Sequence, residues 1–245
     1  MANIKLTIEY AGTSYSGWQY QKDEKTVQGE IEKAIFKFSG EEKTIQGAGR
    51  TDAGVHALAQ CANFSLNKEF TEYQILNGIN FHLGNEKIKI SKVEFVPEEF
   101  NARFSKNKKT YCYQVYNTPS PSVLEGDYSI HVKQNLDVDS MNEAIAHFKG
   151  KHDFSSFRGK GCQAKSPIKS IDFTDIEISE HKIIFVFKAQ SFLYQQIRIM
   201  VGTLLEIGLN NKKPSWIIEL FTLKNRILAG PTMPPRGLIL KEITY

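Results

Sequence analysis

The feature that most constrains this chain is a hydrophobic period that switches from two residues to about 3.6 and back, twice within the first hundred positions. Ile4, Leu6, Ile8 and Tyr10 alternate with polar neighbours, as in a strand with one buried face. Thr26 stands as an N-cap before Val27, Ile31, Ala34, Ile35 and Phe38, which share one face of a helix that Gly40 stops. Strands are expected over 43–46 and 58–66, on either side of a turn. Thr71 and Gln74 make a capping box for a short helix ending near Gly78, and residues 87–96 alternate again. Strand, helix, strand, strand, helix, strand is the order of a ferredoxin-like, RRM-like split βαβ unit, whose antiparallel sheet carries its helices on one face.

After a connection through Pro97 and residues 105–109, the pattern repeats more loosely. Residues 110–116 alternate Tyr111, Tyr113 and Val115, and Asp137 or Asp139 can cap a helix running to Phe148, with Gly150 beyond its end. Strands follow over 170–178 and 182–189. Ser191 is placed to cap a long helix from Phe192 to Ile207, ended by Gly208; a further helix begins near Ser215, and 237–244 alternates as a last strand. The expected fold is therefore α+β. Residues 1–105 and 106–245 form two ferredoxin-like halves that share one mainly antiparallel sheet, with helices on one face and a cleft between the halves. Loops 47–57 and 149–169 and the turn before the helix at 192 are expected to floor that cleft; a connection as long as 150–169 is usually functional.

Composition excludes several classes. Hydrophobic residues at 41% and charged residues at 24% are ordinary for a globular domain. No apolar run is long enough for a membrane helix, and the first residues enter a strand without a secretory apolar core, so a cytoplasmic protein is expected. Cys61, Cys112 and Cys162 are odd in number and far from paired histidines, which argues against both a disulfide framework and a zinc site. The net charge of +4 suits an anionic partner without requiring one. Its distribution says more. Lys149, Lys151, Arg158, Lys160, Lys165 and Lys169 interleave with Phe148, Phe154 and Phe157, a combination that suits looped RNA, although a solvated loop anchored by its phenylalanines has the same composition.

The chemistry is concentrated in GAGRTDAGVHA, residues 47–57. An aspartate in a glycine-rich turn ordinarily caps that turn. Three glycines, with an arginine two residues before the carboxylate, exceed what a turn needs. The glycines permit close approach of a ligand, Ala48 and Ala53 keep bulk away from Asp52, and a paired arginine would hold that carboxylate charged, as a nucleophile or base. P-loop, G-x-S-x-G, Cys-x-x-Cys and H-E-x-x-H patterns are all lacking, and no metal ligand set accompanies the turn. Arg198 lies one turn after Tyr194 on the expected long helix, where it is either a snorkelling arginine at the edge of the stripe or part of a site. Tyr111 and Tyr113 share a strand face, where aromatic residues are usually core, although a tyrosine facing a cleft can stack on a base. His56, Phe192 and Arg158 complete the expected substrate-binding set with Tyr111, although His56 on its own reads as a satisfied hydrogen-bonding residue rather than a catalyst.

Six blocks in order resemble the tRNA pseudouridine synthase A family: YAGTSYSGWQYQ at 10–21, GAGRTDAGVHA, ARFSKNKKTYCYQVYN at 102–117, HDFSSFRGKGCQAKSP at 152–167, QSFLYQQIRIMVGTLLEIG at 190–208 and AGPTMPPRGL at 229–238. The resemblance implies isomerisation of uridine to pseudouridine at positions 38, 39 and 40 of the tRNA anticodon stem-loop, without a cofactor, by a homodimer whose subunits both touch each RNA. By that resemblance Asp52 is the nucleophile, Arg50 its partner, Tyr111 the tyrosine against the target base, and Arg198 the arginine of the helix block. The sequence departs from the family pattern at Gln190, Gln195, Gln196 and Ile199. Two other readings compete. One is a non-catalytic RNA-binding module on the same fold; the other is a carboxylate-dependent hydrolase of nucleosides or sugars, which would want a second carboxylate near Asp52.

Overall fold

The N-terminal alternation becomes β1 (Ala2–Tyr10), followed by α1 (Val27–Ser39), β2 (Gln46–Gly47), β3 (His56–Leu66), α2 (Glu72–Leu83) and β4 (Ile88–Val96) in the computed structural model, which describes residues 2–245. These elements belong to a first unit comprising residues up to Asn107 together with Ile239–Tyr245. Its strands run in the order β4, β1, β3, with β1 antiparallel to both neighbours and β2 antiparallel to β3. Ile4, Leu6 and Ile8 are buried, as the period of two requires. Thr26 caps α1 by accepting from Gly29 N–H, and Gly40 closes it in the left-handed conformation at φ 75°.

Two elements of this unit differ from expectation. The strand expected over 43–46 shrinks to Gln46–Gly47 because α1 occupies the backbone before it: Ile45 N–H donates to Glu32 Oε1 (3.0 Å), and Gln28 Nε2 donates to Ile45 C=O (3.4 Å). Helix α2 starts at the expected capping box but runs through Gly78 to Leu83. Gly78 is there for packing, not termination, since a Cβ would lie 2.1 Å from Cδ2 of Phe38 on α1. The opposite face of the sheet carries a smaller cluster, in which Ala48, Cys61 and Ala102 are joined by Phe100 and Ile243. Asn63 fastens the 97–107 segment to that face, accepting from Ala102 N–H (2.8 Å) and donating to Asn3 Oδ1 (3.0 Å).

The second unit spans Lys108–Leu238. It contains β5 (Lys108–Asn117), β6 (Ile130–Val132), α3 (Val138–Ala146), β7 (Gly150–Asp153), β8 (Ile168–Ser179), β9 (Lys182–Ala189), α4 (Gln196–Gly208) and α5 (Trp216–Leu223). Strand order is β5, β9, β8, β7, all antiparallel, with the short β6 parallel to β5. Asp137, rather than Asp139, caps α3 by accepting from Ser140 N–H. The stretch expected as a long loop is partly regular, since Gly150–Asp153 is a strand and Ser155–Phe157 a 3-10 turn. Its phenylalanines are not RNA-facing. Phe148, Phe154 and Phe157 are all fully buried and meet one another and Phe221 with ring centroids 5.1–6.5 Å apart. Burial of three aromatic rings offers more than their exposure on a polar surface, and of the basic residues in that stretch Lys149, Lys151, Lys160 and Lys165 are exposed while Arg158 and Lys169 are half-buried.

The chain closes with β10 (Leu238–Thr244), which pairs parallel with β3 through Ile239–His56 and Leu240–Ala57. The last strand thus packs in the first unit, where Tyr245 Oη donates to Ala102 C=O (2.8 Å), although by sequence position it falls in 106–245. The whole is a mixed α+β structure with mainly antiparallel pairing and five α-helices among the described residues. Among the described residues no helix is long and apolar enough to cross a membrane.

Candidate active site

The Gly-rich loop in the first unit is anchored at several points. Thr51 is buried, and its hydroxyl pairs with the Tyr10 hydroxyl at 2.8 Å. Burial raises the Tyr10 pKa to about 12, against the lowering effect of its hydrogen bonds to Thr51 and Gln60, so the phenol stays protonated at neutral pH. Trp18 N–H donates to Thr51 C=O (3.1 Å), fully buried Gln60 donates to Gly49 C=O (3.1 Å), and Ala48 N–H donates to Cys61 C=O (2.8 Å). Val55 N–H closes a tight turn onto Asp52 C=O at 3.1 Å, with Gly54 at φ 78°. Asp52 itself is half-buried between these anchors.

Of the three glycines, only Gly54 uses a positive φ. Gly47 serves close approach: a Cβ would stand 2.5 Å from Nε1 of Trp18, a side chain only 2% exposed. The aromatic loop at 11–25 is therefore the loop's scaffold. Tyr15 and Trp18 point inward, and only Tyr20 is exposed. Gly47→Ala is expected to destabilise the protein by about 1–3 kcal/mol through overpacking and to slow the reaction by displacing the neighbouring loop. Thermal unfolding and a rate assay check this; an unchanged melting temperature would show that Trp18 can yield.

Arg50 and His56 take different places. Arg50 is exposed and forms no ion pair among the described residues, so the pairing with Asp52 expected from their spacing is not made within the loop. An exposed pair would gain little in any case. His56 is 3% exposed at the start of β3, and its Nδ1 accepts from Gly12 N–H (3.1 Å). This contact ties the loop to the turn after β1.

In the second unit Tyr111 is 7% exposed on β5, and its ring meets Phe192 edge-on with centroids 5.5 Å apart. The two expected site aromatics are thus brought together. Phe192 and Tyr194 do not lie on a helix, however, because α4 begins only at Gln196. Gln195 turns the chain at φ 60°, and the side chain of Gln196, not Ser191, accepts from Leu193 N–H at 2.7 Å. The turn at 191–195 is held from outside by the loop after Phe157: Gly159 N–H donates to Tyr194 C=O (2.9 Å), and Tyr194 N–H points to Cys162 Sγ (3.5 Å). Arg158 stiffens that loop, donating to Cys162 C=O and Ala164 C=O at 2.7 Å each. Burial alone would raise the Cys162 thiol's pKa, but hydrogen bonds from Ala164 and Tyr194 N–H and the nearby Arg158 hold it below its ordinary value.

Arg198 is half-buried on the first turn of α4, its Nε donating to Met233 C=O at 2.7 Å while its own C=O accepts from Met233 N–H at 3.2 Å. The partner of this arginine, 35 residues onward, could not be read from helix periodicity. Nor could Tyr10, Trp18 and Gln60, although the aromatic density of 10–21 was a signal for the first two. Among the described residues no group of three His, Cys, Asp or Glu is placed to hold a metal ion.

A family model described as tRNA pseudouridine synthase matches residues 6–105 and 144–245, a span that contains the Gly-rich loop, the 191–195 turn and Arg198. A tRNA pseudouridine synthase A of Wolbachia pipientis wMel is 47% identical over 242 residues, covering 98% of this chain and 99% of that protein. One of Ehrlichia canis (strain Jake) is 45% identical over 242 residues with the same coverage, and a tRNA pseudouridine synthase A 2 of Clostridium perfringens (strain 13 / Type A) is 43% identical over 245 residues, all of both chains. With a partly exposed aspartate on an anchored loop, and identity of this order along its whole length, the chain belongs to the tRNA pseudouridine synthase family.

Proposed function

We propose that the protein isomerises uridine to pseudouridine at positions 38, 39 and 40 of the tRNA anticodon stem-loop, with Asp52 as the nucleophile. The observation that carries this reading is the Asp52 loop itself: Gly49 and Thr51, just before the aspartate, are tied down by Gln60, Tyr10 and Trp18, and the aspartate sits half-buried on a tight turn closed by Val55 N–H. Such preorganisation is what a nucleophile needs and a turn-capping aspartate does not. The C1′–N1 bond breaks, a C1′–C5 bond forms, and the proton lost from C5 is balanced by one gained at N1. Atoms and electrons are conserved, so no oxidant or reductant enters.

Reaching the target atom requires the uridine to leave its stack. In this proposal the flipped base packs on Tyr111, whose ring is steadied by Phe192, and Arg198 serves the same nucleotide. Arg50, exposed beside Asp52, is left to meet the RNA. Exposed Lys149, Lys151, Lys160 and Lys165 supply backbone contacts, which would make affinity fall steeply with salt. Strand order β4, β1, β3 with β2 on the outside of β3 supports a ferredoxin-like first half. The proposal also takes the enzyme to be a cytoplasmic homodimer that modifies tRNA without a cofactor.

Incubating the protein with unmodified tRNA labelled with tritium at uridine C5 tests the reading. Tritium release, with pseudouridine mapped to positions 38 to 40, is the expected result. Free uracil would point to hydrolysis, and binding without release would point to a non-catalytic RNA module.

A further inference from the structure

We infer that Tyr113 is a positioning residue, whose hydroxyl pins the 229–237 segment so that this segment's backbone fixes the guanidinium of Arg198. The inference rests on the reading of Arg198 as a site residue. Tyr111 and Tyr113 stand two apart on one face of β5, yet their surroundings divide their work. Tyr111 meets Phe192, whereas Tyr113 is fully buried and donates to Pro234 C=O at 2.7 Å. Pro234 is the residue after Met233, whose C=O accepts from Arg198 Nε at 2.7 Å. One peptide unit therefore links the tyrosine hydroxyl to the arginine side chain.

The segment between them is built to transmit position. Pro231, Pro234 and Pro235 limit its backbone freedom. At its far end it lies directly on α4: a Cβ on Gly202 would stand 2.0 Å from Pro231 C=O, and one on Gly230 would stand 2.4 Å from Thr203 N. Thr203 clasps it there, accepting from Gly230 N–H at 3.0 Å while donating to Ile199 C=O at 2.9 Å. Arg226 adds bonds to Gly230 C=O and Thr232 Oγ1, each at 2.9 Å. Beyond Pro234 the segment is held again, since Arg236 Nε donates to Ser129 C=O at 3.2 Å and Gly237 abuts the Tyr113 ring, where a Cβ would come within 2.7 Å.

Burial pushes the Tyr113 hydroxyl well above its ordinary pKa, opposed only in part by the positive Arg198 and Arg236. It therefore remains a hydrogen-bond donor throughout the neutral range. With its Nε committed to Met233, Arg198 keeps its terminal nitrogens in one plane and one direction, as bidentate recognition of an anionic group requires.

Tyr113→Phe removes only the hydroxyl and preserves the ring packing. In single-turnover assays on unmodified tRNA, we expect pseudouridine formation to slow by roughly five- to tenfold, the cost of one buried hydrogen bond felt by the site, while tRNA Kd stays within about twofold. In an Arg198→Ala background the same substitution should cost nothing further. Thr203→Val loosens the segment from its other end and should behave alike, so it decides the matter if Tyr113→Phe does not fold. Wild-type rates for both variants while Arg198→Ala is slow would overturn the inference and leave the function intact, as would penalties that multiply with that of Arg198→Ala. A wild-type rate for Arg198→Ala itself would instead remove Arg198 from the site, and the inference with it.

Discussion

Asp52→Asn is expected to abolish pseudouridine formation, lowering the single-turnover rate by at least about 10⁴-fold, the order seen when a nucleophile is removed from a preorganised site. Asparagine keeps the size of the side chain and removes its charge. The loop should stay folded around it, because its anchors are the Tyr10–Thr51 pair, the Trp18 and Gln60 bonds and the Val55 turn, none of which involves the Asp52 carboxylate. Because asparagine is isosteric with aspartate, the loss of stability is expected to stay below about 2 kcal/mol, with tRNA affinity close to wild type. Such a profile, chemistry lost with fold and binding kept, would separate a nucleophile from a structural turn residue. Full isomerising activity in Asp52→Asn would sink the mechanism, and a collapse of the melting temperature would return the aspartate to an architectural role.

Arg198→Ala should lower the rate by about 10²- to 10³-fold, as expected when a charge-assisted contact to an anionic reactant is lost. Arg198→Lys should recover little of it. Lysine carries the charge but lacks the planar fork, and it has no Nε–H at the place where arginine donates to Met233 C=O. The comparison discriminates charge from geometry: a lysine variant at wild-type rate would mean that the site asks only for a cation. Because Arg198 C=O also accepts from Met233 N–H through the backbone, neither variant breaks the helix-to-segment contact completely, so a fold defect is not expected to mimic the rate defect.

Much of the fold was legible because the signals are local. Thr26 and Gly40 bound α1, Thr71 and Gln74 close a capping box and Asp137 caps α3, each through bonds within a few residues of the signal, while alternation along the chain marks the buried face of β1, β4 and β10. The misread elements were decided at a distance. Gly78 looked like a helix end, but it is the place where the Phe38 ring of the neighbouring helix fits. Ser191 looked like a cap, but the turn at 191–195 is held by Gly159 and by the side chain of Gln196, and α4 starts later. The phenylalanines at 148, 154 and 157 suited either an RNA-binding loop or a solvated loop anchored by its rings, and it is the second that holds, since together with Phe221 they make an aromatic core; nothing in a linear spacing says which side of a chain the solvent will take.

For the site, the amino-acid sequence by itself determined which residue types were on offer: one carboxylate in GAGRTDAGVHA, a tyrosine pair on a strand and an arginine after an aromatic turn, in an order that already marked the family. Tertiary structure alone decided what each would do. It buried Thr51 against Tyr10, gave Gly47 to Trp18, turned Arg50 outward, closed His56 onto Gly12, and set Tyr113 and Arg198 on neighbouring peptides of the 229–237 segment. The physical reason is the range of the forces. Capping and periodicity act over a turn or a pleat and can be read along the chain, whereas the direction of a guanidinium or the burial of a hydroxyl depends on partners 35 to 121 residues away, which only the packed chain brings near.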